Sequence, residues 1–538
     1  MINTGPIAGL TAPTPEEAEP GGTSALGPRP PGSTPTTEQN NSNSSSHRLI
    51  DLHKLAFSFP ALLGALLVGA ICFAMRIFKL DPDVWWHLKV GATILETHQV
   101  PTADPYSFTV HGAPWIAYEW LGDVMMAAAH RAAGEQGLLA LDMIVGSAIL
   151  LALYYLCSER CGNSKAAFVA CVAVLPLAAV SFSLRPQMFG YLFLVITLIA
   201  LERFRQGKPR SLWLLPPLFL VWVNSHGSFV IGLAAMGVYW ASGLVEFQAG
   251  GVGARRWSPA QRIRLELVAL LCLIALTVTP YGTRLAAYPI DMALGQPLNV
   301  ANIQEWASMP FDTTFGKLFL GLVIAFIVAQ IALRPIWRLE ELALLFAGIF
   351  MAAMHARFVL VFVPFFAPIL ATLLARWVPP YNRPKDQYLL NLALMALIVL
   401  GLVKFFPSRP ALDSAVEAVF PVDAVRFMRQ HPVDGPMFNQ YGFGGYLIWQ
   451  LGPEHRVFID GRGDIYERAG VMADYLRAAY VEPGALAVLR SYGIKSCLLL
   501  KDEPLSTLLA ASPDWQQVYS DKLSGLFVRR NPPPVAHP

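Results

Sequence analysis

Residues 56–83 read AFSFPALLGALLVGAICFAMRIFKLDPD: twenty positions without a charge, then Arg76 and Lys79, then two carboxylates, Asp81 and Asp83. A helix rising 1.5 Å per residue needs about 20 apolar residues to cross a hydrocarbon core of about 30 Å. Similar apolar runs recur at 138–157, 166–182, 188–201, 211–223, 228–245, 265–279, 318–333, 341–354, 358–375 and 388–405. Hydrophobic residues make up 54% of the chain and charged ones 14%, against about 25% charged in ordinary soluble domains. The reading is an α-helical polytopic membrane protein with about eleven spans. The runs 188–201 and 211–223 are short, so the span count is soft.

Charge in the connections sets the expected orientation. One set of loops is basic: Arg203, Arg205, Lys208 and Arg210; Arg255, Arg256, Arg262 and Arg264; Arg334 and Arg338; Arg376, Arg383 and Lys385. The positive-inside rule makes these cytoplasmic and the N-terminus with them. The alternate loops and the C-terminal region then lie outside a cell membrane. Residues 1–48, rich in Pro, Gly, Ser, Thr and Asn, are expected to be a disordered cytoplasmic tail. Residues 49–407 form the expected transmembrane domain. Its first outer loop, 79–137, carries two amphipathic helices near 83–97 and 115–133, and a second long outer loop covers 280–317. From 408 to 538, short apolar strands at Met437–Asn439, Arg456–Asp460 and Ser496–Leu500 alternate with helices near 471–480 and 484–491, which predicts an extracytoplasmic α/β domain. A net charge of +3 over 538 residues is too small to suggest a nucleic-acid binder, and none is expected as a partner. The six cysteines show neither a disulfide framework nor zinc-ligand spacing.

Ionisable residues beside a bilayer are costly and mark function, and here they gather on the outer side. Asp81, Asp83 and His87 follow the first span, and Asp104, Glu119 and Asp123 follow in the same loop. Arg185, His226, Glu305, His355 and Arg357 sit at other outer ends. Carboxylates serve as bases or hold hard cations, and arginine grips phosphate in a bidentate contact. Two carboxylates as near as Asp81 and Asp83 repel, so a cation or a shared proton is expected between them. Blander readings stand beside these. Asp83 would cap the following helix or touch His87 one turn on. Glu119 and Asp123 would be a wetted helix face, Arg185 an interface anchor, His226 a turn residue, and His355 with Arg357 a helix-end salt bridge. Asp142, inside an apolar run, would pair within the bundle.

Asp81-Pro82-Asp83-Val84-Trp85-Trp86-His87-Leu88-Lys89 resembles the first outer loop of archaeal-type oligosaccharyltransferase catalytic subunits. Pro101-Thr102-Ala103-Asp104-Pro105-Tyr106-Ser107, Gly112-Ala113-Pro114-Trp115 and the short Ile303-Gln304-Glu305 are similar to that family in order. Tyr441-Gly442-Phe443-Gly444-Gly445-Tyr446 lies where the family carries its acceptor motif, but Phe438-Asn439-Gln440 stands in place of Trp-Trp-Asp, which leaves the acceptor open. The layout resembles the wider GT-C superfamily, including the Rgt-like and protein-mannosyltransferase groups. The resemblance implies inverting transfer of a sugar from a polyprenyl-phosphate-linked donor to an extracytoplasmic glycan, lipid or protein. It implies Asp81 or Asp83 as the base, Arg185, His226 or Arg357 at the leaving phosphate, and, if a metal takes part, Mg2+ or Mn2+ on Asp81, Asp83 and Glu305. His87, Asp104, Glu119 and His355 are further candidates. The rival readings are a transporter or flippase of a lipid-linked or polar substrate, and a non-catalytic assembly or sensor protein. Under the transferase reading, Asp81→Asn or Asp83→Asn lowers transfer at least ~10²-fold while the protein keeps its elution profile in detergent; both single variants retaining transfer would contradict the assignment.

Overall fold

The computed structural model describes residues 54–77, 81–302 and 306–530. The expected tail 1–48 and Glu305 lie outside the described residues. The chain divides after Lys54, and the unit beginning at Leu55 holds the apolar helices and the C-terminal elements.

Each of the eleven apolar runs folds as a helix. In chain order, with the two outer-loop helices included, they begin with α1 (Phe59–Met75), α2 (Val84–Thr97), α3 (Trp120–Ala133), α4 (Glu135–Cys161), α5 (Ser164–Ser181) and α6 (Gln187–Arg205). They continue with α7 (Leu215–Ser225), α8 (Phe229–Ser242) and α9 (Pro259–Ala275), then α10 (Thr283–Gly295) and α11 (Pro297–Asn302) in the second outer loop. The last are α12 (Thr314–Leu333), α13 (Leu339–Met354), α14 (Val359–Leu374) and α15 (Tyr388–Lys404). Local chemistry sets the ends. The Ser58 side chain accepts the Ala61 N–H at the start of α1, Ser258 and Gln261 form a capping box on α9, and Asn163 caps α5. Among the described residues, five helices are long and apolar enough to cross a membrane: Glu135–Cys161, Ser164–Ser181, Gln187–Arg205, Thr314–Leu333 and Ala356–Leu374. Tyr388–Lys404 with Arg409–Glu417, bent by 55°, would make a sixth, while α1 and α8 are apolar but shorter.

Acidic residues meet part of the basic end. Arg205 pairs with Glu340 at 2.8 Å, Arg338 with Glu202 at 2.7 Å, Lys208 with Glu159 at 3.0 Å, and Arg160 with Glu341. Gln187 and Arg205 are the two ends of α6, about 27 Å apart at 1.5 Å per residue. The arginine-rich end and the end that carries Arg185 are therefore opposite.

After α15 the chain turns into short elements: α16 (Arg409–Glu417), α17 (Val422–Gln430), α18 (Gly444–Leu451), α19 (Gly463–Arg468), α20 (Val471–Ala479), α21 (Ala485–Ser491) and α22 (Pro504–Ala511). Beside them lies a four-stranded sheet in the order β4-β5-β7-β6, formed by Met437–Asn439, Ser496–Leu500, Ser524–Arg529 and Trp515–Ser520. Three still shorter strands, β1 to β3, lie at Phe247–Ala249, Val252–Ala254 and Trp337–Arg338. β4 runs parallel to β5, with Phe438 opposite Cys497; the other pairings in this sheet are antiparallel. Arg456–Asp460 differs from the expected strand. Its core is buried, but its backbone ladder is made with the first connecting loop: Phe108 N–H donates to Val457 O at 3.1 Å, and Val457 N–H to Tyr106 O at 3.2 Å, while only the Asn439 side chain reaches it from β4. Apolar residues of α2, including Trp85 and Trp86, share one buried cluster with Phe420, Phe443, Tyr446, Phe458 and Leu498. The C-terminal segment thus packs as one body with the first outer loop.

The fastening is ionic. Arg462 donates to Asp104 at 2.6 Å and to Asp460 at 2.6 and 2.8 Å, and Tyr466 OH donates to Asp460 at 2.5 Å. Its guanidinium also lies 4.7 Å from the centroid of Trp115 and 5.1 Å from that of Tyr106. The loop Asp460–Asp464 supplies half of this buried cluster. Burial raises the Asp104 carboxyl, but the Arg462 charge and the Ser107 and Tyr106 hydrogen bonds outweigh it, holding Asp104 below its ordinary range. Such a group stabilises the fold above its unfolded pKa of about 3.9, and that stability is lost as pH falls through the lower folded value. Arg462→Met strands two buried carboxylates and is expected to cost about 3–5 kcal/mol, read as a drop in the detergent melting temperature; a melt within about 1 kcal/mol of wild type would show that the cluster does not hold the two segments.

Candidate functional site

A cavity of about 940 Å³ opens where α2, α3, the α5–α6 connection, the α7–α8 turn, α10, α11 and the C-terminal segment meet. Its polar wall holds Asp81, Asp83, Glu119, Arg185, His226 and Arg357. Val230, Ile231, Met292, Val300, Met351 and Phe358 make an apolar wall, and Gln440, Tyr441, Tyr475, Tyr480 and Glu503 face it from the C-terminal segment.

The cation expected between the two aspartates is Arg185. Its Nη2 lies 2.6 Å from Asp81 Oδ1 and 2.8 Å from Asp83 Oδ2. Arg185 precedes Pro186 at the start of α6, where proline is tolerated because the first-turn N–H groups have no helical partner. Asp81 also accepts the Asp83 N–H at 2.9 Å. Asp83 is the residue before α2, but its side chain makes no capping hydrogen bond. The cap reading is therefore replaced by the Arg185 pair. Gly461 backs Asp83 so closely that a Cβ there would lie 1.7 Å from Asp83 Oδ1, and one on Gly445 would lie 2.8 Å from Pro82 O. Glycine lets the C-terminal backbone reach the acidic pair.

His87 does not turn to Asp83 as a helix neighbour. Its Nδ1 lies 2.6 Å from Asp123 Oδ1 and its Nε2 lies 3.5 Å from Glu119 Oε2. Glu119 Oε1 lies 3.2 Å from His226 Nε2. Ser228 N–H donates to His226 Nδ1 at 3.0 Å, so the proton of that ring sits on Nε2, facing Glu119. Burial first, then the charges of Arg357 and Arg185, hold His226 down at about 3, and it stays neutral. Glu119 and Asp123, read in sequence as a wetted face, are 6% and 0% exposed. The wetted reading fails because α3 packs against α2 and presents these carboxylates to His87.

Arg357 lies 4.4 Å over the Trp306 ring, and its Nη2 lies 3.4 Å from Gln187 Oε1. His355 Nδ1 donates to Trp306 O at 2.6 Å. Both residues border the cavity. Asp104 is the sequence candidate that the cavity excludes, because Arg462 holds it in the buried cluster. Asp142 is buried in α4, and its Oδ1 has no hydrogen-bond partner among the described residues. Of the expected metal set, Glu305 lies outside the described residues; among the described residues no three His, Cys, Asp or Glu side chains converge to hold an ion. Asp81 and Asp83 meet a guanidinium instead, and a divalent cation would have to displace it.

Sequence reasoning missed the cavity roles of Gln187, Tyr288, Tyr475 and Glu503. Only the Gly461 and Gly445 positions carried a local signal, that of close backbone approach.

No protein-family model and no curated protein matches the chain. Solved structures do. ArnT from Cupriavidus metallidurans, bound to undecaprenyl phosphate, is 13% identical with a TM-score of 0.51, over 86% of this chain and 96% of that one. The arabinofuranosyltransferase AftD from Mycobacteria is 13% identical with a TM-score of 0.50, over 86% of this chain but 41% of that one. The archaeal oligosaccharyltransferase AglB from Archaeoglobus fulgidus, in complex with an inhibitory peptide and a dolichol-phosphate, is 12% identical with a TM-score of 0.48, over 81% of this chain and 69% of that one. The chain has a GT-C-like fold, that of a multi-pass membrane protein. Gly461→Ala forces its methyl into Asp83 and must shift the carboxylate away from Arg185. With reacting groups displaced by about 1 Å, activity at this site is expected to fall ~10²-fold with little change in melting temperature; unchanged activity would place the aspartate pair outside the chemistry.

Proposed function

We propose that this chain is a membrane glycosyltransferase that moves a sugar from a polyprenyl-phosphate-linked donor to an extracytoplasmic acceptor, with inversion at the anomeric carbon. The observation that carries the reading is the wall chemistry of one cavity in a GT-C-like fold. Paired carboxylates, two guanidinium groups and an apolar wall share about 940 Å³. A donor that is part sugar, part phosphate and part isoprenoid needs that mixture, and the ArnT structure was solved with undecaprenyl phosphate bound.

In this reading Arg357 faces the phosphate of the donor, Arg185 contributes its charge from the aspartate pair, and His226 gives its one N–H to Glu119. Stabilising charge that develops on the leaving group is usually the largest catalytic term. Asp81 and Asp83 orient or deprotonate the acceptor hydroxyl beside Gly461. The C-terminal wall, with Tyr441, Tyr475 and Glu503, meets the acceptor. The N-terminus and the arginine-rich loops face the cytoplasm and the cavity faces outward, because basic loops are retained inside. The opposite placement of the arginine-rich end and Arg185 on α6 supports that orientation. Asp81 and Asp83 are engaged by Arg185, and no step is routed through a divalent cation.

The test is transfer of label from radiolabelled polyprenyl-phosphate sugars by the purified protein in detergent, with candidate glycan, lipid and peptide acceptors. Wild type and Arg357→Ala run in parallel, each with EDTA and with added Mg2+. The expected result is transfer by wild type and a ~10²-fold lower turnover in Arg357→Ala. Transfer undiminished in the variant would remove Arg357 from the phosphate site, and EDTA sensitivity would show that a divalent cation takes part.

A further inference from the structure

Behind the cavity, Asp123, His87 and Glu119 form a buried line whose proton arithmetic is constrained. His87 bridges the two carboxylates, Nδ1 to Asp123 at 2.6 Å and Nε2 to Glu119 at 3.5 Å. A neutral imidazole carries one ring proton. Two contacts with a carboxylate at each end need two, or a lone pair faces a negative oxygen. One further proton must therefore reside on Asp123, on Glu119 or on the ring.

Geometry selects the carrier. Asp123 is fully buried, and its Oδ2 has no hydrogen-bond partner among the described residues. Ionised, that oxygen would hold charge in an apolar surround without compensation. Glu119 has the opposite setting: His226 Nε2–H points at its Oε1 from 3.2 Å, and it lines the cavity. The direction of the titration shifts agrees. Burial, then the charge of Glu119, pushes the Asp123 carboxyl well above its usual range. Burial, then Arg185 and His226, holds His87 well below its own, which disfavours a second ring proton. Among the described residues, the other charged or titratable groups around this line include Arg185, Arg357, His226 and the hydroxyls of Tyr106, Tyr118 and Tyr281.

Resting on the glycosyl-transfer reading above, we propose that Glu119 takes the proton of the acceptor hydroxyl, while Asp123 keeps the shared proton and, through His87, leaves Glu119 ionised at the cavity. Asp81 and Asp83, held by Arg185, then orient the acceptor. In the step, the acceptor O–H bond breaks and its proton goes to Glu119. The oxygen electron pair forms the new bond to the anomeric carbon. The bond from that carbon to the phosphate oxygen breaks, and its pair leaves with the polyprenyl phosphate. Glu119 afterwards loses its proton to solvent. Asp123 is a positioning residue: it donates to His87 Nδ1, which turns the ring Nε2–H toward Glu119.

This arrangement is the reverse of one in which an ionised aspartate orients a histidine base, where replacement by asparagine installs the wrong tautomer and costs ~10⁴-fold. Here an asparagine amide donates to His87 Nδ1 as the protonated acid does. The experiment measures label transfer, donor KM and pH profile for wild type, Glu119→Gln, Asp123→Ala and Asp123→Asn, with infrared spectra of each resting protein. Glu119→Gln is expected to lower kcat at least ~10²-fold with donor KM little changed, and to remove the acidic limb of the pH profile. Asp123→Ala is expected to lose activity, and Asp123→Asn to recover at least ~10-fold of that loss, the share of general-base assistance that depends on the ring tautomer. The wild-type spectrum at neutral pH should hold a protonated-carboxyl band that Asp123→Asn lacks. Active Glu119→Gln, Asp123→Asn no better than Asp123→Ala, or no such band would each overturn the proposal. If wild type transfers no sugar, the functional reading fails, and the infrared band still decides where the shared proton sits.

Discussion

Arg462, 3% exposed, donates to Asp104 on the loop after the first apolar helix and to Asp460 on its own loop, and much of the site depends on that join. A guanidinium can be buried only if its donors are satisfied and its charge is met. Two carboxylates, the Tyr466 hydroxyl and the faces of Trp115 and Tyr106 do so together. The same join brings Gly461, the adjacent residue in the chain, against Asp83. A structural ion cluster outside the cavity thereby sets the position of a carboxylate inside it.

Charge is sorted along the helices. At one end of α6, arginines meet Glu340 and Glu202; at the other, Arg185 bridges two aspartates beside a cavity with an apolar wall. Charges in a low-dielectric site interact more strongly than in water, so each buried group constrains the protonation of the next. The Asp81–Asp83 pair is compatible with ionised carboxylates because Arg185 lies between them. In the Asp123–His87–Glu119 line an imidazole lies between the two carboxylates, and a shared proton takes the place of the cation.

Much of the helical architecture was legible locally. The eleven apolar runs all became helices, and the two interfacial helices expected at 83–97 and 115–133 formed at Val84–Thr97 and Trp120–Ala133. Strands at Met437–Asn439 and Ser496–Leu500 formed as read, whereas the hairpin of Trp515–Ser520 and Ser524–Arg529 was not anticipated. Arg456–Asp460 has the apolar pattern of a strand, yet its backbone found partners in the first outer loop. Apolar patterning specifies burial, and it does not name the neighbour that supplies the hydrogen bonds.

By itself the sequence determined the apolar periodicity, the loops in which basic residues fall, and the collection of carboxylates, histidines and arginines at the helix ends opposite those loops. These are local properties, read within a helix or a loop. Which of those groups meet was decided only by tertiary structure. Arg185 lies 104 residues from Asp81 in the chain, and Arg462 lies 358 from Asp104. Asp104 and Glu119 look alike as acids of one loop, yet packing gave the first to a buried cluster and the second to the cavity. The physical reason is that the state of a buried charge depends on its partners in space, and the topology that chooses them is not carried by spacing along the chain.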